Sequence, residues 1–102
     1  MSQRTMSLLQ DCIPLFSLLQ DENRQKILML LFDYGEMTVN QITEYLPLSR
    51  PAVSHHLKLL LTEQLVTVRK VQKERYYALH IELALMRLKA LVQSIEQDQR
   101  SR

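Results

Sequence analysis

The chain has 102 residues, 46% of them hydrophobic and 24% charged, with one Gly and a formal net charge of +2. That length suits one domain over residues 1–102 with a modest core, and the near-neutral balance excludes a polybasic arm or a histone-like binder. Cys12 is the only cysteine, which excludes a disulfide framework or a thiolate-based zinc site within one chain, and a lone glycine argues against any phosphate-cradling loop.

From Thr5 to Leu19, the residues Leu8, Leu9, Cys12, Ile13, Phe16 and Leu19 recur at helical spacing, and Pro14 is expected to kink or restart that helix. Within such a stripe Cys12 reads as a small core residue, with oxidation or pairing to its symmetry mate as the alternative. Asp21 caps a second helix, about 22–33, whose apolar residues Ile27, Leu28, Leu30, Leu31 and Phe32 are too many for one narrow stripe and predict a central position. Gly35 stands where a left-handed C-terminal cap is wanted. Thr38 and Gln41 have capping-box spacing, and Val39, Ile42 and Leu46 supply the apolar face of a third helix ending before Pro47.

A fourth helix follows at once. Ser49 can cap it and Pro51 fits its first turn, so it starts at about Arg50 and reaches Thr62. At 100° per residue Val53, Leu57 and Leu60 share one side, while Pro51, Ser54, His55, Lys58 and Thr62 occupy the flank and the opposite side. That second face has nothing large and apolar to bury. A reader of the DNA major groove needs such donors to bases and phosphates. Helices three and four, about 38–62, therefore form a helix-turn-helix. His56 lies toward the buried edge and reads as a hydrogen-bonded packing residue.

After Leu65 the period becomes two. Val66 and Val68 alternate with Thr67 and Arg69, and Tyr77 and Leu79 with Tyr76 and Ala78, predicting a β-hairpin over about 66–79 with Val71 to Glu74 at its tip. Of Tyr76 and Tyr77, one should pack and one should be partly exposed. Without Asn-Gly or any Gly the tip is expected to be loose. A last helix, about 81–97, carries Ile81, Leu85, Leu88, Val92 and Ile95, widened by Leu83, Met86 and Leu91. So apolar a helix implies a partner helix. Gln97 to Arg102 reads as a disordered tail.

Between Ser49 and Tyr77 stand Arg50, Lys58, Arg69, Lys70, Lys73 and Arg75 against only Glu63 and Glu74, whereas the remainder is net negative. A basic face on a near-neutral chain is the footprint of duplex contact. Ser49, Arg50, Ala52, Ser54, His55 and Lys58 are the candidate contacts from the fourth helix, with Ser54 and His55 reading bases. Arg69, Lys70, Lys73 and Arg75 are the candidates from the hairpin, reaching the neighbouring backbone or the minor groove. No paired carboxylates, Ser/His/Asp set or nucleotide loop suggests an enzyme. No cofactor is expected. No apolar run approaches the roughly 18 residues of a membrane span and no leader pattern is seen, so a cytoplasmic protein without a membrane partner is expected.

The order Leu19-Gln20-Asp21-Glu22-Asn23-Arg24, Ile27-Leu28, Thr38-Val39, Leu48-Ser49-Arg50-Pro51-Ala52-Val53-Ser54-His55-His56-Leu57-Lys58, Leu65-Val66 and Arg75-Tyr76-Tyr77-Ala78-Leu79 resembles the ArsR/SmtB family of bacterial transcriptional repressors over nearly the whole chain. The resemblance implies a mainly α fold with a small β-hairpin, a winged helix-turn-helix of order α-α-α-α-β-β-α. It further implies a homodimer joined through the first and last helices, about 5–19 and 81–97, which binds a double-stranded DNA operator as a repressor and is released by an inducer.

Metal-sensing members resemble one of two patterns, and this chain has neither. Val39 to Glu44 holds no Cys-x-Cys pair, and the last helix opens Ile81-Glu82-Leu83 with Ser94 and Gln97 further on. No metal ligands are carried over, and the inducer is unknown. His80 and Glu82, with Glu96 or Asp98, are a thin basis for a site of another kind. Two alternatives stay open: a winged-helix module used only for protein assembly, which would show apolar residues in place of Ser54, His55 and Lys58, and a metal- or redox-sensing repressor with non-standard ligands.

Overall fold

Side chains cap most of the helix starts in the computed structural model, which describes residues 1–102. Ser2 caps α1 (Gln3–Leu19) by accepting from the Thr5 N–H, and Asp21 caps α2 (Glu22–Tyr34) by accepting from Arg24. Thr38 and Gln41 close a reciprocal capping box on α3 (Val39–Thr43), and Ser49 caps α4 (Arg50–Thr62) at the Ala52 N–H, with Pro51 in the first turn. Each contact satisfies an amide that a helix start leaves without a partner. Strands β1 (Met37–Thr38), β2 (Val66–Val71) and β3 (Glu74–Leu79) and the last helix, α5 (Glu82–Arg100), complete a mainly α winged helix-turn-helix.

Several boundaries differ from those the sequence predicts. α1 does not restart at Pro14. Pro14 and Gln10, whose carbonyl loses its donor there, are both exposed, so the helix passes Pro14 on its solvent side, where an unpaired carbonyl costs little. α3 ends at Thr43 and turns carry the chain to Ser49. α5 continues to Arg100 where a disordered tail was expected. Asp98 fastens that end by accepting from the Ser2 backbone N–H (2.9 Å) and from the Ser2 and Thr5 hydroxyls (3.1 and 2.7 Å). The wing is a three-stranded sheet of order β1-β3-β2, because Met37 and Thr38 pair with Tyr77 and Tyr76. Two residues are too few to display a period. The tip is a tight two-residue turn, Gln72-Lys73 between the paired Val71 and Glu74, with Gln72 at φ +56°. Gly35 ends α2 at φ +77° and ψ −146°, a positive φ with an extended ψ that glycine alone adopts cheaply.

Twelve residues form the core: Leu15, Ile27, Leu31, Met37, Ile42, Leu46, Val53, Leu57, Leu60, Leu65, Val66 and Tyr77. α1 contributes only Leu15 and α5 none. These two helices run antiparallel beside the winged body, Ser2 and Thr5 of one meeting Asp98 and Ser94 of the other. The radius of gyration is 16.3 Å and the longest dimension 55 Å, against about 13 Å expected for a compact domain of this size. Met6 and Ile13 on α1 and Leu85, Met86, Val92 and Ile95 on α5 remain exposed.

Thr5 has no accessible surface and its hydroxyl is bonded to the buried Ser94 hydroxyl as well as to Asp98. Thr5→Val keeps the shape but strands the Ser94 hydroxyl, and is expected to lower unfolding stability in urea by about 1–2 kcal/mol. Hydrogen bonds from the Ser2 backbone and the Thr5 hydroxyl hold the Asp98 carboxyl below its ordinary value. With the folded value depressed, this stabilisation is present at neutral pH and is lost as pH falls through the folded pKa.

Candidate nucleic-acid interface

α4 divides its two faces sharply. Val53, Leu57 and Leu60 are each 0% exposed, whereas Ser49, Arg50, Ser54, His55 and Lys58 are exposed and Ala52 is half-buried. Burial of the first set leaves α4 no rotational freedom, so the second set must face solvent. The Ser49 hydroxyl also serves as the cap, accepting from the Ala52 N–H at 3.3 Å. His56 is half-buried, and its Nδ1 lies 3.4 Å from an Arg24 guanidinium nitrogen on α2, which ties α4 to α2.

A groove of about 600 Å³ separates α4 from the wing. Arg50, Ser54 and Lys58 line it from α4, Lys73 and Arg75 from the wing, and Asn40 from α3. Five of the ten residues picked out in the sequence thus meet in one concavity, where four cations face a single carboxylate, Glu74. Asn40 was not anticipated. It sits in the first turn of α3 between Val39 and the capping Gln41, and no local pattern in the sequence singles it out.

Strand register sorts the wing cations. Lys70 pairs with Arg75 and Val68 with Tyr77, so these share one face, while Arg69 pairs with Tyr76 on the other. Tyr77 is buried in the core and Tyr76 is half-exposed. Lys70 and Arg75 are like charges directly opposite, an arrangement that costs stability until an anion lies across it. Arg69 is differently engaged. Its Nε and Nη2 donate to the two Glu36 oxygens at 2.6 and 2.9 Å, and its guanidinium lies 5.1 Å from the Tyr76 ring centroid. The hydrogen bonds and charge of Arg69 hold the Glu36 carboxyl below its usual range.

Cys12 has no accessible surface. No three His, Cys, Asp or Glu side chains gather closely enough to hold a metal ion. His80 Nδ1 lies 3.1 Å from Glu82 at the start of α5, and Asp98 at the far end is engaged by Ser2 and Thr5. No helix is long and apolar enough to cross a membrane.

The family model described as bacterial regulatory protein, arsR family, matches residues 21–68, from the cap of α2 into β2. The transcriptional repressor SdpR of Bacillus subtilis is 35% identical over 65 residues, covering 64% of this chain and 71% of that protein. The chain belongs to the ArsR family.

An arsenical resistance operon repressor of Staphylococcus aureus, 36% identical over 66 residues, is similar to 65% of this chain, which spans 62% of that relative. Among solved structures, the homodimeric winged helix-turn-helix domain of Mb0332 from Mycobacterium bovis, described as a possible ArsR-family regulator, superposes with a TM-score of 0.69 at 28% identity. It covers 96% of this chain and 89% of its own. The family model stops at residue 68, whereas the structural match to the Mycobacterium bovis domain covers 96% of the chain.

Proposed function

We propose that this ArsR-family chain is a cytoplasmic, homodimeric, sequence-specific DNA-binding repressor of transcription in bacteria, released from its operator by a signal that its residues do not name, and not an enzyme. One observation carries the reading: the exposed face of α4 and the wing cations Lys73 and Arg75 line one groove with net positive charge. Seven of the ten residues lining it are polar or charged. An assembly module would place apolar side chains there, so duplex DNA suits the groove better. The repressors among its relatives support the same role.

In this reading Arg50, Lys58, Lys70, Lys73 and Arg75 contact phosphates, and Ser54 and His55 read base edges from the exposed side of α4, with Ser49 and Ala52 at its N-terminal edge. The exposed apolar residues of α1 and α5 supply the second requirement. Met6, Ile13, Leu85, Met86, Val92 and Ile95 lie on a helix pair that gives only Leu15 to the core, and a second copy covers them in a two-fold dimer. The homodimeric Mycobacterium bovis domain supports this arrangement. Two copies would read half-sites about 34–36 Å apart on one side of the duplex.

His55→Ala is expected to relax preference at one base pair in each half-site, costing about 1–3 kcal/mol per contact on the preferred sequence and far less on others. Binding to a set of single-base operator variants checks it. Equal loss on every sequence would move His55 to a backbone contact.

A further inference from the structure

Arg69 is among the cations that sequence reasoning assigns to DNA, but its surroundings describe another task. Both carboxylate oxygens of Glu36 accept from its fork at 2.6 and 2.9 Å. Tyr76, its direct partner on β3, places an aromatic ring 5.1 Å from the guanidinium centre. A planar guanidinium held by a bidentate carboxylate and a ring has its Nε–Nη2 edge and one stacking face already occupied, and its charge paired with that of Glu36.

The location of this cluster gives it leverage. Glu36 follows Gly35, the cap of α2, and precedes β1. β2 is an edge strand paired only with β3, and its outer half otherwise has only the pairs Lys70–Arg75 and Val71–Glu74 before the turn. Arg69 therefore makes the last side-chain tie from the wing to the body before the tip that carries Lys70, Lys73 and Arg75. A wing swinging freely about that point would lose the fixed span between Arg75 and Lys58 across the groove. Ordering it on DNA would then cost affinity at the moment of binding.

We propose that Arg69 is a positioning residue, which clamps the wing to the α2–β1 corner through Glu36 and Tyr76 and so presets the groove, and is not itself a contact to DNA. This rests on the DNA-binding reading for its consequence, though not for its structure.

The two roles give opposite signs for one substitution. If Arg69 touches phosphate, Glu36→Gln removes a competing negative charge and should leave affinity unchanged or raise it. If Arg69 is a clamp, Glu36→Gln should weaken binding about three- to fivefold, the range an exposed but well-formed ion pair supports. The experiment uses the full chain and a duplex enriched by the wild-type protein from a random-sequence pool, titrated over a salt series. The clamp predicts the same loss for Glu36→Gln, Arg69→Gln and the double variant. It also predicts an unchanged slope of log K against log salt, and recovery in the charge-swapped Glu36→Arg, Arg69→Glu protein. Tighter binding by Glu36→Gln, together with a slope lowered by about one per subunit in Arg69→Gln, would overturn it.

A second readout needs no DNA. Amide hydrogen exchange at Val71 and Glu74, the hydrogen-bonded pair that flanks the turn, should quicken in Glu36→Gln, and unchanged exchange would overturn the clamp. Failure of the pool to yield any enriched duplex would count against the DNA-binding reading, leaving the clamp to be decided by exchange.

Discussion

A Lys58→Ala, Arg75→Ala double variant is expected to lose affinity for its operator by about a thousandfold at 0.15 M salt, with the slope of log K against log salt falling by between three and four. The magnitude follows from counterion release. Each phosphate contact contributes about 0.9 to that slope, and two side chains in each of two subunits make four contacts. Lys58 and Arg75 approach the groove from α4 and β3 respectively, so the variant tests both walls at once. Neither side chain is buried, and the fold should survive, as circular dichroism and a thermal melt would establish. A loss confined to one sequence, with no change in salt slope, would mean that these cations read bases and that the phosphate contacts lie elsewhere.

The second large effect lies one residue away and concerns stability. Leu57 is 0% exposed and belongs to the core cluster. Leu57→Ala is expected to cost about 3 kcal/mol, since it removes buried methyl groups and leaves a cavity that the surrounding helices fill only in part. For a domain of this size that corresponds to a drop of about 12–20 °C in Tm. Leu57 is adjacent to Lys58, yet the two substitutions should separate cleanly: one lowers the stability of the fold, the other disarms a folded protein. A Leu57→Ala protein with unaltered Tm would mean that α4 is not anchored as described, and the argument that burial fixes its exposed face would lose its footing.

Features of α4 were legible in the sequence because local chemistry and periodicity agree there. Ser49, Pro51 and the Val53, Leu57, Leu60 stripe each specify the same start and the same buried side, and consistency of this kind is what makes a segment readable. The hairpin was visible by its alternation at Val66, Val68, Tyr77 and Leu79. The features that escaped notice depend on partners distant in sequence. Met37 and Thr38 become a strand only because β3 lies beside them, and Glu36 meets Arg69 across 33 positions. Asp98 stays helical because Ser2 and Thr5, at the other end of the chain, supply its hydrogen bonds. No window of residues contains such pairs.

The candidate interface divides along the same line. Charge counting found the cations, but only strand register separates Lys70 and Arg75 on one face from Arg69 on the other. Asn40 enters the groove through the placement of α3 against α4, which no spacing rule gives. The inducer is illegible for a further reason, since neither known metal pattern of the family is present and no cluster of ligating side chains replaces it. The apolar content of the last helix alone implied a partner helix, whereas the part of the first helix in a dimer came only from the family resemblance.

The most direct test of the central claim is a footprint and affinity measurement on the duplex that wild-type protein enriches from a random-sequence pool, set beside a scrambled duplex of equal length over a range of salt. A two-fold pattern of protection, with half-sites about one helical turn apart, and a preference of at least about a thousandfold over the scrambled duplex at 0.15 M salt are the predicted results. Equal affinity for the two duplexes, with no symmetric protection, would contradict the account.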